Sequence, residues 1–208
     1  MLADYLPQLI LAWSIQWMGV LAPGPSVMLI LGVASAQGRS ASLVTAFGIA
    51  CGSIVLAVTT VLGISALVAQ MAGAMTVLRW VGAAYLLWLG YKALKTAWKN
   101  PPLPASKPTT AKPIKTALSG FLLQVSNPKA VGFWLAIASL GGAGDAPLPI
   151  IALFVAGAFL NSFLGHGAYA RVLSSPPIRK LYVRFRRWIE GTLGTLFVAA
   201  GLRLALSR

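Results

Sequence analysis

The sequence predicts an all-α integral membrane protein with six transmembrane helices, built as two inverted repeats of three helices. Hydrophobic residues make up 58% of the 208-residue chain, charged residues only 10%, and the mean hydropathy is +0.80. A helix needs about 20 apolar residues to cross a bilayer. Six stretches meet this requirement and leave no room for a sizeable soluble domain. They lie near residues 6–35, 41–71, 74–95, 114–141, 147–171 and 185–206.

The first stretch is predicted to be a membrane helix rather than a cleaved signal peptide. No basic residue precedes it, its only early charge is Asp4, and its apolar run is too long for a signal peptide. The second stretch contains "GIACG" at residues 48–52, a spacing of small residues that favours close helix packing.

The first helix is predicted to break at Pro23, Gly24 and Pro25. A proline inside a helix removes a backbone donor and clashes with the preceding turn, which costs about 3 kcal/mol in water. We expect one half-helix to end near Ala22, Gly24 to cap a second, and Pro25 to take its first position. The amides around Ser26 would then carry partial positive charge near mid-membrane. An ordinary kink relieved by neighbouring helices is the alternative.

A corresponding break is predicted in the fourth stretch at "SNPK". Asn127 is a good helix cap and Pro128 a good first residue. Lys129 lies well inside the apolar stretch, where a charge costs at least about 2.5 kcal/mol on insertion scales, so it should face the interior or a water-filled cavity. Two helix starts and one ammonium group would bind a carboxylate. An ordinary kink and an ion-paired or snorkelled lysine are the alternatives.

The second half of the chain repeats the first. Three pairs of segments match in the same order: GVLAPGPSVMLILGVAS (19–35) with GFLLQVSNPKAVGFWLAIAS (120–139), VLGISALVA (61–69) with FLGHGAYAR (163–171), and RWVGAAYLLWLGYKAL (79–94) with RWIEGTLGTLFVAAGLRLAL (187–206). An odd number of helices per repeat gives the halves opposite orientations, the usual construction of secondary transporters. Shared hydropathy without common ancestry is the alternative.

The predicted boundaries follow from this repetition. The first repeat covers residues 1–98 and the second covers residues 114–208. Between them, "KNPPLPASKPTTAKP" at residues 99–113 is rich in Pro, Lys and Thr and predicts an exposed cytoplasmic linker. A second basic connection is expected over residues 174–187, at the level of the lipid headgroups.

The charges indicate a membrane topology rather than nucleic-acid binding. The chain has 17 basic and 3 acidic residues, a net charge of +14. The loops on one side of six helices would hold thirteen of the basic residues: Arg39, Lys92, Lys95, Lys99, Lys107, Lys112, Lys115, Arg171, Arg179, Lys180, Arg184, Arg186 and Arg187. The other side would hold only Arg79, Arg203 and Arg208. By the positive-inside rule, both termini lie outside the cytoplasm.

Two titratable residues remain candidates for proton coupling. Glu190 lies about a turn inside the sixth helix, within reach of Arg186 and Arg187, so a surface ion pair is the expected role and a proton or cation group the alternative. His166 is the single histidine in the sequence. It is expected to be a hydrogen-bonded packing residue, and the alternative is that it takes up and releases the coupled proton. The sequence has one cysteine and no cluster of metal ligands or Gly-rich nucleotide loop, so no cofactor is expected.

Three segments resemble the LysE/RhtB family of bacterial amino-acid exporters: "APGPSVML", "LRWVGAAYLLWLGYKAL" and "GFLLQVSNPKAVGFWLA". The resemblance covers nearly the whole chain and implies an inner-membrane exporter of amino acids or close derivatives, driven by the proton motive force. The family's two motifs fall on Pro23, Gly24 and Pro25 and on Asn127, Pro128 and Lys129.

These observations predict a secondary transporter, not an enzyme, which exports an amino acid or a related metabolite across the inner membrane. Residues 24–26 and 127–129 would hold the substrate's carboxylate. A neutral amino acid is favoured, because no mid-membrane carboxylate is evident to pair with a cationic side chain. The other partners expected are protons and lipids, and the many small residues permit a homodimer. An exporter of a metal or other small ion is one alternative, and a membrane-embedded enzyme is another.

Overall fold

The structure is a computed structural model that describes residues 2–70, 74–100, 112–138 and 146–206. All regular structure in these residues is helical, which confirms the predicted all-α class. The helices are α1 (Leu2–Leu21), α2 (Pro25–Gln70), α3 (Ala74–Lys99), α4 (Pro113–Ser126), α5 (Pro128–Ala138), α6 (Leu148–Leu173) and α7 (Pro176–Leu206).

Several of these helices are long and apolar enough to cross a membrane. In the described part of the chain they are the run Pro25–Gly63 and the whole of α6 and α7, and Pro128–Ala138 is a shorter apolar helix. At about 1.5 Å per residue, the 20 residues of α1 extend roughly 30 Å. The total of six spans stays a prediction.

The predicted break in the first helix is present. Helix α1 ends at Leu21 and α2 begins at Pro25. The amide of Met28 donates to the carbonyl of Gly24 at 2.9 Å, which makes Gly24 the capping residue. Pro25 therefore takes the first helical position, where its missing N–H removes no helical hydrogen bond.

The second predicted break is also present, between Ser126 and Pro128. The amide of Val131 donates to the carbonyl of Asn127 at 3.0 Å, and the amide of Lys129 donates to Asn127 Oδ1 at 3.0 Å. Asn127 thus caps α5 with both its backbone and its side chain, as its residue type predicts.

Helix α2 contains a sharp turn at Gly38, between the predicted first and second segments. Gly38 has φ 82° and ψ −170°, a conformation that essentially only glycine adopts. The turn divides α2 into a first part over residues 25–37 and a second part over residues 39–70. A single residue therefore makes the connection where a short loop was expected.

Two pairs of helices pack in parallel. Helix α1 runs parallel to α6, because a Cβ on Gly157 would meet Trp13 and one on Gly165 would meet Val20. The second part of α2 runs parallel to α4 and approaches it very closely. A Cβ on Gly48 would lie 1.9 Å from the carbonyl oxygen of Ala117, and one on Gly52, further along α2, would lie 2.7 Å from Gln124 Cβ, further along α4. The small residues of the second helix therefore serve close packing, as predicted.

Other neighbouring helices pack antiparallel. In α3 and α7, a Cβ on Gly82 would meet Leu204, and one on Gly194 would meet Leu94. In α2 and α6, Ser42 Oγ donates to the carbonyl of Ala170 at 3.3 Å and Ser53 Oγ donates to Ser162 Oγ at 2.9 Å, so these two helices run in opposite directions. A buried apolar cluster, here called the Trp134 cluster, joins α1, α2, α5 and α6. Its larger members are Leu9, Leu56, Trp134, Ile137, Ile150 and Phe154.

The basic segment over residues 174–187 differs from the expected connection. Helix α7 begins at Pro176, so most of this segment is helical. Two prolines in the first turn favour a helix start, and the carbonyl of Ser175 accepts the amide of Arg179 at 2.9 Å. The predicted linker over residues 99–113 lies mostly outside the described residues, and the division into two repeats stays a prediction.

Candidate functional site

Two neighbouring cavities lie at the helix breaks. The inner chamber, of about 40 Å³, is lined by polar side chains including Gln16, Ser26, Ser53, Gln124 and His166. The vestibule, of about 340 Å³, is lined among others by Pro23, Pro25, Lys92, Pro128, Arg186 and Glu190. Both cavities are bordered by Ala22, Gly24, Asn127 and Lys129. The residues at the breaks therefore lie between a small polar chamber and a larger cavity.

Helix α2 and helix α5 both begin at the inner chamber. The first amides of a helix have no acceptor within it, and here these include the amides of Ser26, Val27 and Ala130. All three residues line the chamber. Since helix N-termini carry partial positive charge, this arrangement favours a bound anion.

The Lys129 side chain lies between the two helix starts. Its Nζ donates a hydrogen bond to the carbonyl of Ala22, at the end of α1. It also packs on Gly24, where a Cβ would lie 3.0 Å from Lys129 Cδ and 3.1 Å from Nζ. The neighbouring carbonyl of Leu21 accepts a hydrogen bond from Tyr169 Oη at 2.6 Å. Lys129 therefore faces the protein interior, as predicted for a charge inside an apolar stretch.

A chain of buried hydrogen bonds joins the breaks to the second part of α2. Asn127 Nδ2 donates to Ser26 Oγ at 3.2 Å, and Ser26 Oγ donates to Gln124 Oε1 at 3.3 Å. Gln124 Nε2 then donates to Ser53 Oγ at 3.1 Å. The backbone amide of Lys129 can only donate, so its bond to Asn127 Oδ1 fixes the orientation of the Asn127 side chain.

The same chain continues to His166. Ser53 Oγ donates to Ser162 Oγ at 2.9 Å, and Ser162 Oγ lies 3.3 Å from His166 Nδ1. His166 Nδ1 is closer, at 2.9 Å, to the carbonyl oxygen of Ser162. Because a carbonyl only accepts, this contact assigns the hydrogen to Nδ1 and leaves Nε2 unprotonated in the neutral ring. His166 thus ends a polar network that crosses the chamber.

Glu190 does not form the expected surface ion pair. It is buried, with 5% of its area exposed, and it lines the vestibule. Its Oε1 lies 3.9 Å from Nε of Arg186, so the predicted partner is present in an unpredicted place. Because α7 begins at Pro176, residue 190 lies about 21 Å along the helix. Helix α7 packs against α3 here, since a Cβ on the next residue, Gly191, would lie 3.9 Å from Ala97 Cβ.

The nine residues proposed from the sequence all border these two cavities. They are Pro23, Gly24, Pro25, Ser26, Asn127, Pro128, Lys129, His166 and Glu190. Sequence reasoning missed Gln16, Ser53, Gln124 and Ser162. Their signal was a polar side chain inside an apolar stretch, which needs an internal partner in lipid. Gln16, for example, donates from Nε2 to the carbonyl of Ala158 at 2.7 Å.

Helices that are broken beside a polar cavity are typical of membrane transporters. The chain belongs to the LysE type translocators, whose family model matches residues 17–208. This membership confirms the predicted family and makes the protein a transporter rather than an enzyme.

Similar proteins of known name are bacterial efflux proteins. The chain is 31% identical to a threonine efflux protein of Salmonella typhi over 91% of this chain and 93% of the relative. It is 30% identical to a threonine efflux protein of Escherichia coli K12 with the same coverage. It is 28% identical to a leucine efflux protein of Klebsiella pneumoniae over 89% of each chain. No solved structure matches the chain.

Proposed function

We propose that the protein exports a neutral amino acid, or a metabolite resembling one, across the inner membrane of a bacterium. One observation carries the proposal. The starts of α2 and α5 meet at the junction of the two cavities, with the ammonium group of Lys129 between them. Relatives that are named threonine and leucine efflux proteins support the same class of substrate.

The junction suits the carboxylate of an amino acid. The free amides of Ser26, Val27 and Ala130 supply donors, and protonated Lys129 supplies a positive charge. The chamber of about 40 Å³ admits a carboxylate or a few waters, whereas the vestibule of about 340 Å³ admits a whole amino acid. The substrate would therefore lie in the vestibule with its carboxylate directed at the helix starts.

The charges of the vestibule favour a neutral substrate side chain. Lys92, Lys129 and Arg186 line it, and Glu190 is its acidic group, already paired with Arg186. A cationic side chain would meet this excess of positive charge, and like charges at close range cost several kcal/mol.

Helix directions support two inverted repeats. Helix α1 is parallel to α6, α6 is antiparallel to the second part of α2, and the second part of α2 is parallel to α4. Helices α1 and α4 therefore run in opposite directions, as the first helices of inverted repeats must. The two halves also make corresponding contacts. Trp13 of α1 packs on Gly157 of α6 in the same way that α4 packs on Gly48 of α2. Rocking of one half against the other would give alternating access.

The vestibule gives access from the cytoplasm in this arrangement. Lys92 and Arg186 lie on its wall, and the positive-inside rule assigns these ends of α3 and α7 to the cytoplasmic side. The Trp134 cluster closes the opposite side. An exporter loads from the cytoplasm, so this is the loading state, and both termini lie in the periplasm.

Protons would drive this export through the two buried titratable groups at the cavities. His166 borders the inner chamber and Glu190 borders the vestibule. They lie on the two sides of the Lys129 junction, so each would be reached from a different side of the membrane as the halves rock.

Transport by inside-out membrane vesicles tests the proposed function. Their outer face is the cytoplasmic face, so an exporter carries substrate into them. We expect a labelled neutral amino acid to accumulate when the interior is acidified, lysine to accumulate more slowly, and an uncoupler to abolish accumulation. Vesicles that contain the protein and accumulate none of the amino acids above the protein-free level would contradict the proposal.

Cysteine labelling tests the orientation. In a Cys51→Ala background, we expect a membrane-impermeant maleimide to label Ala3→Cys in intact cells. It should label Lys99→Cys only in inside-out vesicles, because both positions are exposed at opposite ends of the helices. The reverse pattern would show that the termini are cytoplasmic.

A further inference from the structure

The break after α1 leaves carbonyl groups that need donors. The last carbonyls of a helix have no partner within it and carry partial negative charge. Pro25 has no N–H to donate to the carbonyl of Leu21. This carbonyl instead accepts a hydrogen bond from the hydroxyl of Tyr169 at 2.6 Å. The carbonyl of Ala22 accepts a hydrogen bond from the side-chain ammonium group of Lys129.

An ammonium group of the protein thus occupies the boundary of both cavities. Ala22, Gly24 and Lys129 border the inner chamber as well as the vestibule. Gly24 provides the space, since a Cβ there would lie 3.0 Å from Lys129 Cδ. The Ala22 carbonyl is therefore reachable by a ligand in the vestibule once the lysine moves.

We infer that the Ala22 carbonyl is the subsite for the substrate's own ammonium group, and that Lys129 occupies it as a tethered competitor in the empty carrier. This inference rests on the proposed function. When an amino acid enters, its ammonium group replaces that of Lys129 on the carbonyl. The released Lys129 turns to the substrate's carboxylate at the starts of α2 and α5.

This exchange distinguishes an amino acid from a simple amine. An amine can replace Lys129 on the carbonyl but brings no carboxylate, so the displaced lysine loses its partner and remains buried. A tethered group competes at an effective concentration in the millimolar range or above. The apparent affinity for a free amine is therefore the intrinsic affinity multiplied by the fraction of time for which Lys129 leaves the carbonyl unoccupied.

Amine binding to purified protein tests the competition directly. We expect n-propylammonium chloride to bind Lys129→Met at least about tenfold more tightly than it binds the wild type, measured by calorimetric titration in detergent at constant ionic strength. Tetramethylammonium has no N–H donor and should bind neither protein.

Gly24→Ala provides a second variant that retains the lysine. Its Cβ would lie 3.0 Å from Lys129 Cδ and 3.1 Å from Nζ, so the flexible side chain must shift by a few tenths of an ångström and its hydrogen bond to the carbonyl weakens. We expect a smaller gain in propylammonium affinity. Lys95→Met is the matched control, because Lys95 is exposed and lines neither cavity. Its Nζ lies over the ring of Tyr91, 5.5 Å from the ring centroid. It should bind the amine as the wild type does.

The inference is overturned if neither Lys129→Met nor Gly24→Ala binds propylammonium more tightly than the wild type. It is equally overturned if tetramethylammonium binds the variants as tightly as propylammonium. The titration does not depend on transport. Amino-acid uptake by wild-type vesicles with an unchanged titration would remove this inference alone, whereas absent uptake of every amino acid would remove the proposed function.

Discussion

Lys129→Ala is expected to lower the initial rate of amino-acid uptake by inside-out vesicles by at least about thirtyfold. Removing one partner of a buried charge pair typically costs about 2 to 5 kcal/mol. In the proposed site that partner is the substrate's carboxylate, and the helix amides of Ser26 and Ala130 remain to bind it weakly. The change is therefore severe without abolishing the site.

The control for this substitution is Lys95→Ala, on the exposed face of α3. It removes the same charge and a similar length of side chain outside both cavities, so its uptake rate should stay within about twofold of the wild type. Equal rates for Lys129→Ala and the wild type, at equal amounts of protein in the membrane, would contradict the proposed carboxylate site.

Gly48→Ala is expected to lower the free energy of unfolding by about 2 kcal/mol or more. The added Cβ would lie 1.9 Å from the carbonyl oxygen of Ala117 and 2.7 Å from its carbonyl carbon. These are backbone atoms of α4, so no rotation of a side chain relieves the clash. The two helices must separate, and α4 positions both Gln124 and Asn127.

The matched control lies on the same helix. A Cβ on Gly63 would find nothing within 4 Å. Gly63→Ala should therefore leave stability unchanged or raise it slightly, because alanine favours a helix over glycine by up to about 1 kcal/mol. Thermal unfolding in detergent compares the two variants. Equal midpoints would show that α2 and α4 do not pack through Gly48.

The helix breaks could be predicted from the sequence because their causes are local. Proline removes a hydrogen-bond donor wherever it lies, and Asn127 before Pro128 has the residue type of a cap. The interior position of Lys129 was equally predictable, because a charge inside an apolar stretch needs a polar surrounding. These inferences required no knowledge of which helices are neighbours.

The partners across helices could not be predicted in this way. The acceptor of Lys129 is the carbonyl of Ala22, which depends on how α5 lies against the end of α1. The contact of Ser53 with Ser162 depends likewise on the packing of α2 against α6. Glu190 has an expected local partner in Arg186, but its burial depends on α3 and on the early start of α7. Tertiary packing decides each of these.

The family resemblance and the local chemistry point to the same residues for different reasons. The resemblance selects Pro23 to Pro25 and Asn127 to Lys129 as motifs. Their chemistry explains the selection, since each motif starts a helix at the chamber and the second adds a positive charge. The polar network from Asn127 to His166 connects the two motifs to the second and fifth predicted spans.

The central claim is that the two helix starts and Lys129 bind the carboxylate of the substrate. The measurement that tests it most directly compares two unlabelled competitors of uptake in inside-out vesicles. One is the neutral amino acid that the vesicles accumulate fastest, and the other is its amide, which keeps the ammonium group and side chain and loses the negative charge. A tenfold difference in affinity corresponds to about 1.4 kcal/mol. The claim predicts that a tenfold excess of the amino acid suppresses uptake of the label and that the same excess of the amide leaves uptake unchanged. Equal suppression by both would contradict it.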